Sequence, residues 1–205
     1  LAAILSTKAE KNPELAEDIN VNGTMKIFDL ALHQSLKQKK IIKIFFPSSI
    51  AVYNIKNNDD NEQLIRENML CNPTTVYGKN KLFCENIGTA LDLYGNENQL
   101  HIDFRCIRFP GIISANTCPT GGTSDYAPEM INAAKKSESY SCFVSRNSKI
   151  PFIVMPDAIN AITELMASDK KKLKSNVYNI TSFSPTVTEF YDEIIKYYKK
   201  FKMTY

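Results

Sequence analysis

The chain has 205 residues, 43% of them hydrophobic and 23% charged, which is a globular composition and argues against disorder. That length suits one ordinary domain or the larger part of one. A formal net charge of +3 is too small to point to a nucleic-acid partner, and no apolar run nears the roughly 20 residues that cross a bilayer.

The chain opens on Leu1 to Leu5, which is apolar but has no basic leader and no cleavage site. It reads as the tail of a buried strand whose start is absent, not as a signal peptide. Pro13 then opens a helix whose apolar positions, from Leu15 to Leu32, recur at helical spacing. Gly23 inside it predicts close packing against a neighbour or ligand, because glycine costs a helix about 1 kcal/mol relative to alanine. Lys37 to Lys40 end the helix with charge that complements its dipole.

Ile41 to Phe46 is a β-rich run and the expected central strand. It empties into Pro47-Ser48-Ser49, and hydroxyls at the C-terminal end of a parallel strand lie where open α/β sheets place ligands. A Ser-rich loop capping the next element is the plain alternative. Asn54 to Asn68 is a polar surface loop. Thr74 or Thr75 starts a long helix that Gly95 closes. This helix carries Tyr77 and Lys81, four residues apart and therefore on one face. An ammonium beside a phenol favours the phenolate, which makes the pair a candidate acid/base. A solvated surface pair has the same spacing, so neighbouring residues must decide.

Leu100 to Phe109 is a buried strand ended by Pro110-Gly111. Helices alternate with strands, and the crossovers are long, so the strands should be parallel: an α/β, doubly wound sheet. Ile112 to Thr123 is an expected loop in which Gly121-Gly122 lets the backbone approach a ligand or simply turn. Asp125 to Lys136 is a helix. Tyr140 to Val144 and Ile150 to Met155 are strands outside the main rhythm. Pro156 opens the helix Ala158 to Ala167, Lys170-Lys171-Lys172 is a solvated connection, and Val177 to Ile180 is a short strand. Val187 to Tyr198 is an amphipathic helix, and Phe201 to Tyr205 reads like a strand just begun.

Residue types exclude other chemistries. Cys71, Cys84, Cys106, Cys118 and Cys142 are scattered, odd in number and without Cys-x-x-Cys spacing, as reduced thiols would be. His33 and His101 lie far apart with no close cysteine, which argues against a zinc site and against a Ser-His-Asp hydrolase.

The order Ser49, Tyr77, Lys81 resembles the Ser-Tyr-Lys set of the extended short-chain dehydrogenase/reductase superfamily. Leu1-Ala2-Ala3 resembles that family's fourth strand end beside the cofactor. Asp18 to Thr24 resembles its Asn-Val-x-Gly-Thr helix signature, and Pro47 to Tyr53 its catalytic-serine strand. Within it, Asp103 to Ser114, Gly121 to Ala127, Ile150 to Ile159 and Tyr178-Asn179-Ile180 are similar to short-chain-type L-threonine 3-dehydrogenases. The family's glycine-rich Gly-x-x-Gly-x-x-Gly turn, which holds the cofactor pyrophosphate, is missing from this chain.

The resemblance implies a Rossmann-like sheet, N-terminally truncated, with a small C-terminal substrate lobe. Residues 1–111 and 156–180 would belong to the dinucleotide-binding domain, and 112–155 with 181–205 to the lobe. It implies NAD as cofactor, L-threonine or a related small molecule as substrate, and 2-amino-3-oxobutanoate as product. Tyr77, Lys81 and Ser49 would be catalytic. Tyr77, Lys81, Ile112, Leu1 and Ala2 would contact the cofactor, and Ser48, Ser49, Gly122 and Thr123 the substrate, with no metal. A homodimer of the full-length protein, paired through the helix that bears Tyr77, is implied, as is a cytoplasmic or, in a eukaryote, mitochondrial location. No nucleic-acid or membrane partner is expected. A nucleotide-sugar epimerase or dehydratase of the same superfamily is the alternative activity, and a non-catalytic fragment the alternative of another class.

Overall fold

In the computed structural model, residues 3–55, 64–95, 101–115 and 121–205 are described. The helices are α1 (Ser6–Lys11), α2 (Pro13–Glu17), α3 (Gly23–Gln38), α4 (Val76–Gly95), α5 (Tyr126–Lys136), α6 (Met155–Ala167) and α7 (Val187–Tyr197). The strands are β1 (Ile42–Ser49), β2 (Ile102–Phe109), β3 (Gly111–Ile113), β4 (Tyr140–Ser141), β5 (Phe152–Val154), β6 (Val177–Asn179) and β7 (Met203–Thr204). They divide into two compact units, Leu1–Phe109 with Asn160–Ile180, and Pro110–Ile159 with Thr181–Tyr205.

The first unit is built on a parallel sheet of order β1-β2-β6, so the expected α/β class with parallel strands holds. The central β2 is buried along its whole length, as parallel strands covered on both faces are. Phe104 packs edge-on against Phe28 of α3 and stacked on Phe46 of β1, with ring centres 5.9 and 6.3 Å apart. Gly88 allows α4 to close on the same ring: a Cβ there would lie 2.2 Å from it. The next residue, Arg105, forks onto the carboxylate of Asp103 and donates to the carbonyls of Leu165 and Ser168 at the C-terminal end of α6. A cation there meets the negative end of the helix dipole. Helices therefore cover both faces of the sheet.

The helix predicted to run unbroken from Pro13 is interrupted, with α2 separated from α3 by a π-helical turn, Asp18–Asn22. The side chain of Asn20 in that turn accepts from the Ile4 N–H (2.8 Å) and donates to the Ile4 carbonyl (3.0 Å), pairing with the chain as a neighbouring strand would. Gly23 does not mark the close packing expected of it. A Cβ there would meet only the Asp18 carbonyl, at 3.9 Å.

The second unit holds two short parallel pairs, β3-β5 and β4-β7. The segment expected to be a loop from Ile112 therefore begins as a strand. Its core gathers Tyr126, Met130, Phe152, Val187, Ile194 and Phe201. Phe152 lies at the centre, 5.7 to 6.0 Å from the rings of Tyr126, Phe183 and Phe190. A capping box starts α7: the Thr186 hydroxyl accepts from the Glu189 N–H, and the Glu189 carboxylate accepts from the Thr186 N–H, satisfying two donors that a helix end leaves open.

Candidate active site

Ser49 is the last residue of β1, and its hydroxyl accepts from the Ala51 N–H (3.2 Å), capping a 3-10 turn at Ile50–Val52. Two side chains fix the start of α4 just before Tyr77. The Thr75 hydroxyl accepts from the Gly78 N–H (3.1 Å), and the Glu10 carboxylate of α1 accepts from the Val76 N–H (2.6 Å). An acidic cap at a helix N-terminus is favourable for both dipole and hydrogen-bond reasons. Gly78 then sets how close the helix comes. A Cβ there would lie 2.1 Å from the Ala51 carbonyl oxygen, so a residue with no side chain lets the first turn of α4 rest on the turn that Ser49 caps.

That approach brings together the three residues singled out from the sequence. Tyr77 is buried; desolvation raises its pKa, and hydrogen bonding from the Ser49 side chain works in the opposite direction. The Lys81 ammonium is also buried, donates to the Pro47 carbonyl (2.7 Å), and lies 4.8 Å from the Phe46 ring centre and 5.6 Å from that of Tyr77. Desolvation lowers its pKa. The expected lowering of the Tyr77 pKa by Lys81 is not the dominant influence in this arrangement. Removal from water is the largest influence on the phenol, and the ammonium is engaged by a strand carbonyl.

Ser48 is only 3% exposed, and its hydroxyl has no hydrogen-bond partner among the described residues. A buried hydroxyl in that condition is uncommon and calls for a specific explanation. The remaining predicted site residues are Leu1, Ala2, Ile112, Gly122 and Thr123. Leu1 and Ala2 lie outside the described residues. Ile112 is in β3 of the second unit, as are Gly122 and Thr123 in the turn before α5. Both the Gly121 and Gly122 N–H groups donate to the Asp125 carboxylate (2.7 Å each), and Gly121 adopts φ +101°. That turn is therefore held by its own acidic side chain.

A buried ion pair escaped the sequence reading. Arg108 of β2 and Glu85 of α4 are 4% and 2% exposed and joined by a fork whose shortest contact is 2.6 Å. Burial works against the Arg108 charge, but the hydrogen bonds and charge of Glu85 outweigh it and hold the guanidinium above its ordinary range. The available signal was a charge in the apolar run Cys106-Ile107-Arg108-Phe109, together with Glu85 on the same helix face as Lys81. A charge at a core position requires a partner.

The chain is 40% identical, with a TM-score of 0.83, to the structure of a monomeric L-threonine 3-dehydrogenase from a metagenome, matching 100% of this chain and 62% of that one. It is 31% identical to the mitochondrial L-threonine 3-dehydrogenase of Sus scrofa, over 100% of this chain and 51% of that protein. An uncharacterized epimerase/dehydratase of Staphylococcus saprophyticus is 35% identical over 100% of this chain and 60% of its own length. The chain thus spans about half the length of the pig relative. Residues 1–181 match the NAD dependent epimerase/dehydratase family, and the chain belongs to that family.

Proposed function

We propose that the full-length protein oxidises L-threonine at C3 to 2-amino-3-oxobutanoate, with NAD as acceptor. The observation that carries this is the convergence of Ser49, Tyr77 and Lys81 where β1 ends and α4 begins, in a chain similar to L-threonine 3-dehydrogenases. The residues present suit the nicotinamide end of NAD. They offer a buried ammonium on a strand-end carbonyl at the C-terminal edge of a parallel sheet. When bound, NAD supplies the hydride acceptor.

Tyr77 takes the proton from the C3 hydroxyl, and Ser49 donates a hydrogen bond to the same oxygen as it becomes a ketone. Lys81 exchanges the Pro47 carbonyl for the nicotinamide ribose, and its charge then favours the phenolate. Ser48 and the backbone of Gly122 and Thr123 are the proposed ligands of the amino-acid end, with Asp125 yielding the Gly122 N–H. Ile112 is the proposed wall of the nicotinamide pocket, Leu1 and Ala2 are its proposed strand-end contacts, and the second unit is the proposed substrate lobe. Exposed Phe83 of α4 and exposed Ile27 and Leu30 of α3 favour homodimer pairing through these helices, which sedimentation of the full-length protein tests.

Activity on a nucleotide sugar is the second reading, in keeping with the epimerase/dehydratase family to which the chain belongs. One assay separates the two: NAD reduction by the full-length protein with L-threonine, beside turnover of UDP-sugars. Threonine-dependent reduction is expected. Turnover of sugars alone overturns the proposal.

A further inference from the structure

The Glu85–Arg108 pair reaches well beyond the two elements it joins. Nε and Nη2 of Arg108 bind the Glu85 carboxylate at 2.6 to 3.2 Å, and Nη1 donates to the Tyr53 hydroxyl and to the Glu67 carbonyl, both at 2.7 Å. The Tyr53 hydroxyl in turn donates to Asn179 Oδ1 (2.7 Å). Asn179 returns to the same loop, with its N–H donating to Glu67 Oε1 (2.9 Å) and its side-chain amide to the Ile65 carbonyl (3.1 Å). One guanidinium thereby ties together α4, the chain just after Ser49, the 64–72 segment that leads into Tyr77, and β6.

Its position in the sheet is specific. Arg108 pairs with Ser48 on one side and with Asn179 on the other, so the network runs across the strands one residue short of Ser49. Glu85 stands one helical turn beyond Lys81 and two beyond Tyr77 on the inward face of α4. Of residues 64–72, which lead into Tyr77, none is fully buried, so apolar packing does little to hold them. A buried ion pair earns little net stability over a well-packed apolar pair of the same volume. What this one adds is direction, because a planar fork with fixed donors sets where each segment lies.

We propose that Arg108, through Glu85 and Tyr53, is a positioning residue that sets the separation of Ser49, Tyr77 and Lys81. The proposal rests on the dehydrogenase reading for its catalytic consequence, but not for its structural one. A shift of about 1 Å in a reacting group costs on the order of a hundredfold in rate, so a slight loosening of the fork lowers kcat far more than it raises KM.

The test compares Glu85→Gln and Tyr53→Phe with the wild type in the full-length protein. Two readouts are taken: NAD reduction with L-threonine, and amide hydrogen exchange. For Glu85→Gln the expected result is a fall in kcat on the order of tenfold to a hundredfold. KM for threonine and NAD should stay within about twofold if positioning, not binding, is lost. Exchange protection should fall across 64–81 and persist in β1 and β2. Tyr53→Phe keeps the ion pair and guards against a Glu85→Gln protein that does not fold; it should show the same pattern more weakly. Unchanged kcat in a folded variant, or protection lost evenly through the first unit, overturns the proposal. If the wild type reduces no NAD with threonine, the dehydrogenase reading fails, and the exchange pattern alone then decides the positioning claim.

Discussion

The two units handle buried polarity in opposite ways. Among the described residues, every buried polar or charged side chain lies in the first unit: Asn20, Ser35, Ser48, Asn80, Lys81, Glu85, Asp92, Asp103, Arg105 and Arg108. Among the described residues, the second unit closes on rings and aliphatic groups around Phe152, with the Tyr126 hydroxyl and the Cys142 thiol as its buried polar groups. Buried charge is costly unless it is paired, and it fixes geometry when it is. The first unit therefore has the means to hold reacting groups at fixed positions, whereas the second is stabilised by apolar burial and tolerates a simpler set of contacts.

The comparison breaks most directly at Tyr77. In the full-length protein Tyr77→Phe should lower kcat/KM for threonine by about 100- to 10,000-fold, with thermal stability unchanged. A variant that keeps its rate refutes the assignment. Burial raises the pKa of the phenol in the free protein, so kcat/KM, which reports the free enzyme, should climb with pH above neutrality. A rate that falls over this range means another group is the base.

In the second unit the largest effect is expected at its central ring. Phe152→Ala should cost about 3–5 kcal/mol, and hydrogen exchange should show the loss concentrated in residues 126–154 and 187–204. Equal loss of protection in β1 and β2 would show that the two units unfold as one. Gly88→Ala makes the converse test. It drives a methyl into Phe104, and overpacking of this kind costs about 1–3 kcal/mol, read as a lower denaturation midpoint with protection lost from α4 and β2.

The smallest effect concerns the start of α7. Thr186→Ala should cost about 1 kcal/mol, measured by denaturant titration. Hydrogen bonds from the Thr186 N–H and hydroxyl lower the pKa of Glu189 below its ordinary value of 4.5. A carboxylate depressed on folding stabilises fully above its unfolded value and loses that contribution as pH falls through the folded one. The part of the Thr186→Ala deficit that comes from the hydroxyl–carboxylate bond should therefore disappear on acidification, and a deficit independent of pH would assign it wholly to the hydroxyl's cap of the Glu189 N–H.

Much of the fold was legible because it rests on periodicity. Ile41 to Phe46, Leu100 to Phe109 and the long helix behind Tyr77 announce themselves by apolar spacing, and their order implies parallel strands. What escaped were features set by partners distant in sequence. The π turn at Asp18–Asn22 accompanies a side-chain amide pairing with Ile4. Gly23 and Gly78 look alike in the sequence, yet only Gly78 faces a backbone carbonyl that a Cβ would strike.

The amino-acid sequence by itself determined the class of the chain, the face shared by Tyr77 and Lys81, and the candidacy of Ser49, because these depend on spacing within one element or on the order of a few motifs. Only the tertiary structure decided that Lys81 faces the Pro47 carbonyl, that burial and not the lysine dominates the Tyr77 phenol, and that Arg108 reaches Glu85 and Tyr53. Charge, hydrogen bonding and desolvation depend on distances through space, and those exist only once the strands have found their register and α4 has settled on the glycine that admits it.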